Sequence, residues 1–221
     1  KKALAQNSGI KHFVCASAGN HAQGVAFVCK YFNLRGYIFM PVTTPKQKID
    51  KTLSFGGANI EIRLTGDYFD NTLKSAMSFS NNGDSIFLPP FDSLAVIEGQ
   101  ATVLAEILSQ SGPKNCPDFI FLAVGGGGLS SGMLKYSQEV GSDINFRLVE
   151  PSGAASLKAS LIAGKQVTLD RVNNFVDGAA VARIGDLNFK ILKGFPLDRI
   201  STVAENRLCM TMMEMLNTEG I

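Results

Sequence analysis

The sequence has no marked excess of either charge. Its 21 lysines and arginines stand against 19 aspartates and glutamates, a formal net charge of +2. No basic stripe runs through it, which argues against a nucleic-acid partner. The densest basic stretch, Lys46, Lys48 and Lys51, reads as a solvated helix face. Cysteine is scarce and unpatterned: Cys15, Cys29, Cys116 and Cys209 form neither a CxxC pair nor a metal-ligand spacing, so no metal is expected. Cys15 in an apolar strand and Cys29 on a helix read as small buried residues of a reducing compartment. No apolar run is long enough to span a membrane and no signal peptide is visible, which makes the cytoplasm the expected location. Repeats of solenoid period and low-complexity tracts are also missing.

What is present is the pattern of an ordinary globular α/β protein. Apolar residues make up 45% of the 221 and charged residues 18%, enough to bury a good core in one or two domains. Strand and helix signals alternate. Strands are expected at 13–16, 36–40, 60–64, 86–88, 119–124, 146–149 and 200–203. Helices are expected from about Asn20, from Thr44-Pro45 to Gly56-Gly57, and from an Asp67 cap to about Ser80. Further helices are expected at 96–108, 129–138, 154–162, 184–192 and 204–216. Continuous apolar strands between amphipathic helices imply parallel sheets covered on both faces, with 119–124 as a buried strand. The Met210, Met212, Met213, Met215 cluster reads as a core-facing stripe. Pro89-Pro90 is the best boundary, separating a small α/β lobe of residues 12–90 from a larger lobe made of 1–11 and 91–221.

Two motifs sit where an expected strand gives way to an expected helix: Ser17-Ala18-Gly19-Asn20-His21-Ala22-Gln23-Gly24 and Gly125-Gly126-Gly127-Gly128-Leu129. The first turn of a helix has backbone N–H groups with no internal partner, so each junction is a ready anion site. Together they suit two anionic groups, for example a cofactor phosphate and a substrate carboxylate. Four consecutive glycines cost chain entropy and add no packing; a tight turn needs one. They are worth having where backbone approaches a ligand closely and several N–H groups converge into a nest. No GK[ST] follows, which excludes a Walker loop, and neither the glycine spacing nor a ribose-binding acid supports a dinucleotide fold. In the first motif Gly19 permits the turn and Asn20 can cap the helix. An imidazole at a helix N-terminus tends to stay neutral, so His21 reads as orienting a ligand more than as a strong base.

Taken in order, SAGNHAQG, PPFDSLAVIEGQ (89–100), AVGGGGLSSG (123–132) and DGAAVARIG (177–185) resemble the threonine dehydratase (threonine deaminase) branch of the fold-type-II pyridoxal-phosphate enzymes. The likeness covers essentially the whole chain. It implies two parallel-sheet lobes of the tryptophan synthase β-like architecture, here incomplete at both ends. It implies pyridoxal 5'-phosphate as cofactor, an amino-acid substrate and a homo-oligomer, dimeric or tetrameric. Asn20 is then expected to hydrogen-bond the cofactor ring oxygen. Gly125, Gly126, Gly127, Gly128 and Leu129 are expected to hold its phosphate, and Gly178 to lie against its ring. Ser17, Gly19, Asn20 and His21 are expected to line the substrate carboxylate site. The activity implied is dehydration and deamination of L-threonine, and less well of L-serine. Serine racemase/dehydratase and a silent phosphate-binding piece are the alternatives.

The departures matter too. The family's Schiff-base lysine lies in an S-x-K-x-R-G-A-type segment, which this sequence does not contain. Lys1, Lys2 and Lys11 stand too near Ser17 to be it, so no catalytic residue is expected within 1–221. With a start at Lys1 and an end at Ile221 inside a helical pattern, the chain is expected to be part of a longer protein. Glu150-Pro151-Ser152-Gly153-Ala154 reads as a strand–helix junction. Ser156 stands where related serine racemases carry a metal-binding aspartate, which argues against a metal at Glu150.

Overall fold

Apolar β-formers and amphipathic helices alternate along the chain. The structure is a computed structural model that describes every residue except Lys1, Asn7, Ser8, Tyr68, Asn82, Pro113 and Ile221, and all described side chains but those of Lys2, Gln6, Phe69 and Asp70. It divides into two compact units, Lys1–Pro90 and Phe91–Ile221.

The first unit runs α1 (Lys2–Gln6), β1 (His12–Ala16), α2 (Asn20–Tyr31), β2 (Arg35–Met40), α3 (Lys46–Gly56), β3 (Ile60–Leu64), α4 (Phe69–Ser80) and β4 (Ser85–Phe87). Its sheet has the order β3-β2-β1-β4, and every pairing is parallel. Successive residues of a strand face opposite sides of the sheet. The apolar run of β1 accordingly serves two cores at once. Phe13 and Cys15 pack with Ala22, Val25 and Cys29 of α2. Val14 and Ala16 pack with Phe39 and with Ala76 of α4. This is why the run is continuously apolar: helices cover both faces.

Cys15 and Cys29 are packing residues. Burial raises the Cys15 thiol far above its ordinary range and pushes Cys29 up to about 11. Cys29 also explains Gly36, where a Cβ would come within 2.6 Å of the Cys29 sulfur. Residues 1–11 were expected with the second lobe, yet Ala3, Leu4 and Ile10 pack against the first unit's core. Pro45 holds the position just before α3. The residue before α4 lies outside the described residues, so the expected Asp67 cap is not seen in place.

The second unit runs α5 (Leu94–Ser111), β5 (Phe119–Ala123), α6 (Gly128–Val140), β6 (Asn145–Pro151), α7 (Ser156–Ala163), α8 (Asp186–Leu192), β7 (Ile200–Val203) and α9 (Glu205–Glu219). Its sheet is β5-β6-β7, again parallel. Ser93 caps α5, its hydroxyl accepting the Val96 N–H at 3.2 Å. The core gathers Leu104 of α5, Leu122 of β5, Met133 of α6, Phe146 and Leu148 of β6, and Phe189 and Leu192 of α8.

Two expectations fail in this unit. β5 is not a buried strand. It is an edge strand whose face carrying Phe119 and Phe121 stays open, at 51% and 70% exposure, while Leu122 points to the core. The methionine cluster does not face a core either. No residue of α9 is buried, and Met210, Met212, Met213 and Met215 are all exposed, because no other element of the described chain covers that helix. No helix among the described residues is long and apolar enough to cross a membrane.

Candidate functional site

The β5–α6 junction holds the four glycines. Val124 still pairs with β6, its N–H donating to the Val149 carbonyl at 2.9 Å. Gly127 takes the left-handed conformation at φ 88° immediately before α6. The first rung of the helix ladder is the Ser131 N–H to the Gly127 carbonyl, 2.9 Å. The N–H groups of Gly128, Leu129 and Ser130 therefore lie ahead of the ladder, at the positive end of the helix dipole. Ser130 is 1% exposed, and its hydroxyl has no hydrogen-bond partner among the described residues.

Protein atoms crowd this loop on all the Cβ sides. A Cβ at Gly126 would fall into the Phe91 ring, and one at Gly127 would lie 2.5 Å from Ile184 Cδ1. At Gly128 it would meet the Phe91 carbonyl at 3.1 Å, and at Gly125 the Ala179 Cα at 3.1 Å. All four glycines are thus required by the neighbours that press on them, and Gly127 by its left-handed backbone as well. What remains are the N–H donors ahead of the ladder and, beside them in sequence, a buried hydroxyl with no partner among the described residues. An acceptor-rich dianion such as the phosphate of a cofactor fits that donor set.

The β1–α2 junction is built differently. The Ser17 N–H donates to the Phe39 carbonyl at 3.0 Å, and the Ser17 hydroxyl accepts the Gly19 N–H at 3.1 Å. Gly19, not Asn20, occupies the cap position. Asn20 is the first helical residue, exposed, and its side chain does not cap, which removes the capping role that the sequence allows it. The ladder starts with the Gln23 N–H to the Gly19 carbonyl at 3.3 Å, so the N–H groups of Asn20, His21 and Ala22 precede it. A Cβ on Gly19 would meet nothing within 4 Å.

His21 Nε2 lies 3.0 Å from the Leu88 carbonyl. A carbonyl only accepts, so Nε2 carries the proton and Nδ1 is left as an acceptor. Burial holds the imidazole below its usual pKa, against the opposing pull of the Leu88 bond. His21 is therefore a neutral tie between α2 and the end of the β4 segment.

Gly178 is itself exposed in the turn Asp177–Ala179, whose Ala179 is buried, and has open space where a Cβ would be. Glu150, at the end of β6, is 1% exposed. Its two carboxylate oxygens accept the N–H groups of Leu157 and Lys158 at 2.8 and 2.9 Å, which caps α7. Burial raises its pKa and those two bonds oppose the rise. Among the described residues no group of three or more His, Cys, Asp and Glu is placed to hold a metal ion.

Three residues of this architecture carry no assignment from sequence: Phe91, Asp92 and Asn188. The Asp92 carboxylate accepts the N–H groups of Asp186 and Leu187, both at 2.9 Å, and so caps α8. The Asn188 amide donates to the Phe91 carbonyl at 3.1 Å and to the Gly126 carbonyl at 2.9 Å. Phe91 and Asp92 belong to the PPFD string, a local signal of sorts. Asn188 has none, being one polar residue on an otherwise ordinary helix.

A two-unit parallel α/β protein with a tightly packed glycine turn ahead of a helix has the build of the α/β proteins that hold a phosphorylated ligand. The chain matches the family described as pyridoxal-phosphate dependent enzyme over residues 1–221, and it belongs to that family. It is 42% identical over 220 residues to the L-threonine dehydratase biosynthetic IlvA of Staphylococcus aureus (strain bovine RF122 / ET3-1), covering 99% of this chain and 52% of that protein. The chain therefore spans about half the length of the curated relatives it matches. Among solved structures it is similar to the processed form of threonine deaminase isoform 2 from Solanum lycopersicum, with TM-score 0.77 and 37% identity over 88% of this chain and 55% of that one. It is also similar to maize serine racemase, with TM-score 0.82 and 26% identity over 96% of this chain and 62% of that one. These likenesses establish the fold-type-II architecture.

Proposed function

We propose that the complete protein dehydrates and deaminates L-threonine to 2-oxobutanoate and ammonia, and L-serine less well to pyruvate. The locked glycine turn before α6 carries this reading, supported by the curated threonine dehydratases similar to the whole chain. In it, the N–H groups of Gly125 to Gly128 and Leu129 bind the cofactor phosphate, and Gly178 lies against the cofactor ring. Asn20 hydrogen-bonds the ring oxygen through an amide that no helix cap occupies. Ser17, Gly19, Asn20 and His21 form the loop that receives the substrate carboxylate. The N–H groups ahead of the α2 ladder suit an anion, and the open side of Gly19 admits one. Closing such a loop excludes water before chemistry. Pyridoxal phosphate, when bound, supplies an electron sink for the charge left at Cα.

Covalent imine chemistry needs a positioned lysine of depressed pKa. We place that lysine outside residues 1–221, in the segment that the family carries upstream. A polypeptide limited to these residues then binds cofactor weakly and noncovalently and turns nothing over. The protein is proposed to act in the cytoplasm as a dimer or tetramer, with isoleucine biosynthesis as its context.

The test is formation of 2-oxobutanoate from L-threonine by the full-length protein with added pyridoxal phosphate, followed by borohydride reduction and peptide mapping. Turnover with the label on a lysine outside these residues is the expected result. A single labelled lysine within 1–221 would overturn the assignment. Similarity to a serine racemase motivates a second reading; D-serine formed from L-serine without 2-oxobutanoate from threonine would favour it.

A further inference from the structure

We propose that Asn188 is the positioning residue of the phosphate loop, holding the peptide between Gly126 and Gly127 so that the Gly127 N–H faces the ligand. This rests on the reading of the four-glycine turn as the phosphate site. The peptide unit is planar and trans, so the Gly126 C=O and the Gly127 N–H point in opposite directions. The Gly126 carbonyl is held by two donors, the Asn188 side-chain amide at 2.9 Å and the Gly185 N–H at 3.2 Å. Both donors lie at the start of α8. The Gly127 N–H is therefore turned away from α8. Without these donors, a glycine-flanked peptide can rotate and offer its carbonyl oxygen where its N–H is needed, and an oxygen repels phosphate.

The amide orientation is not arbitrary. Both partners of the Asn188 nitrogen, the carbonyls of Phe91 and Gly126, can only accept, which places the NH2 on them. Each hydrogen has its own carbonyl, so one side chain ties the loop to the segment whose Phe91 ring covers Gly126. Asn188 is 0% exposed, and its side-chain Oδ1 has no partner among the described residues. A buried amide left half unsatisfied is poor packing, so the gain must lie in the two bonds it donates. Gly185 belongs to the same device: a Cβ there would lie 2.6 Å from the Asp92 carboxylate and 2.7 Å from the Asn188 nitrogen.

The test compares affinity for pyridoxal phosphate with affinity for pyridoxal, which lacks the phosphate, in the full-length protein and its Asn188→Asp and Asn188→Ser variants. The ratio of the two affinities isolates the phosphate interaction, which a general loss of stability does not change. Loss of one charge-assisted hydrogen bond predicts a ratio lower by about ten- to a hundredfold in the variants. Pyridoxal affinity should stay within about threefold of wild type. The 31P resonance of the bound phosphate should move as well. If Asn188→Asp does not fold, the smaller, uncharged Asn188→Ser supplies the measurement. An unchanged ratio in a folded variant, or equal losses for both ligands, overturns the proposal and leaves the phosphate site standing. A wild-type protein with no preference for pyridoxal phosphate over pyridoxal overturns the phosphate reading and this proposal together.

Discussion

The β1–α2 and β5–α6 junctions share a topology and differ in what holds them. In the second unit every glycine of the turn is pressed by protein: Phe91 on Gly126 and Gly128, Ile184 on Gly127, Ala179 on Gly125. In the first unit Gly19 has open space, and the turn is kept by hydrogen bonds: the Ser17 N–H to the Phe39 carbonyl, the Gly19 N–H to the Ser17 hydroxyl, and the His21 tie to Leu88. A loop locked by packing has its donors in place before a ligand arrives and pays no ordering cost on binding. A loop held by a few hydrogen bonds, without packing on its glycine, can adjust. The contrast fits a cofactor that stays and a substrate that comes and goes.

The largest effect should come from breaking the lock. Gly126→Val places a branched side chain into the Phe91 ring, a side neither can vacate without moving the segment that Asn188 anchors. Overpacking of this kind costs about 3 kcal/mol. Denaturant unfolding should record that loss, and pyridoxal phosphate should no longer be retained. A glycine kept only to admit a phosphate would lose affinity without losing stability, whereas the structure places the clash on the protein side. The destabilisation should therefore persist without cofactor. A variant as stable as wild type in the cofactor-free state would mean that Phe91 does not cover the loop.

Gly127→Ala should follow at about 1–3 kcal/mol, combining a left-handed backbone at φ 88° with contact on Ile184. If it were harmless while Gly126→Val was not, the lock would reduce to the single Phe91 contact.

An intermediate effect belongs to the open junction. His21→Leu removes the donor to the Leu88 carbonyl and should cost about 1–3 kcal/mol. The pH dependence separates this from lost packing. Burial lowers the folded-state pKa of His21 below its unfolded value. The unfolded chain then binds more protons as pH falls below about 6.5. The stability due to neutral His21 is complete above that value and declines as pH drops toward the folded pKa. Melting of wild type between pH 7.5 and 5 should show this decline (about the window set by an ordinary imidazole), and His21→Leu should lack it. Equal slopes in both proteins would place the histidine in water.

How much of this was legible in the sequence depends on whether the signal is local. The alternation of strands and helices is local, and β1 with its two-sided core follows from an apolar run between helices. An all-apolar run, however, carries no period-2 mark of its outward face. Hence β5 reads as buried although Phe119 and Phe121 are open on an edge strand. The α9 methionines mislead for the same reason, since an apolar stripe says that a face wants cover and not that cover is present. At the site, the glycines announce themselves by number. Asn188 could not, because it meets Gly126 across 62 residues of sequence, a distance that only the tertiary fold closes.

The smallest effect on stability, and the sharpest use of the contrast, lies at Asn20. It is exposed, it does not cap, and it occupies the first helical position, where alanine is at least as well tolerated. Asn20→Ala and Asn20→Asp should both unfold within about 0.5 kcal/mol of wild type. An acid in the first turn is if anything favoured by the helix dipole. If the amide is the donor to a cofactor oxygen, neither variant can replace it: alanine has no donor and aspartate presents a repelling charge. Both should then lower threonine turnover by the full-length protein about ten- to a hundredfold, at unchanged stability. A helix-end role predicts the reverse, with aspartate active and alanine slightly less stable. Measuring unfolding and turnover on the same two variants therefore decides whether the open junction is held for the fold or kept free for a ligand.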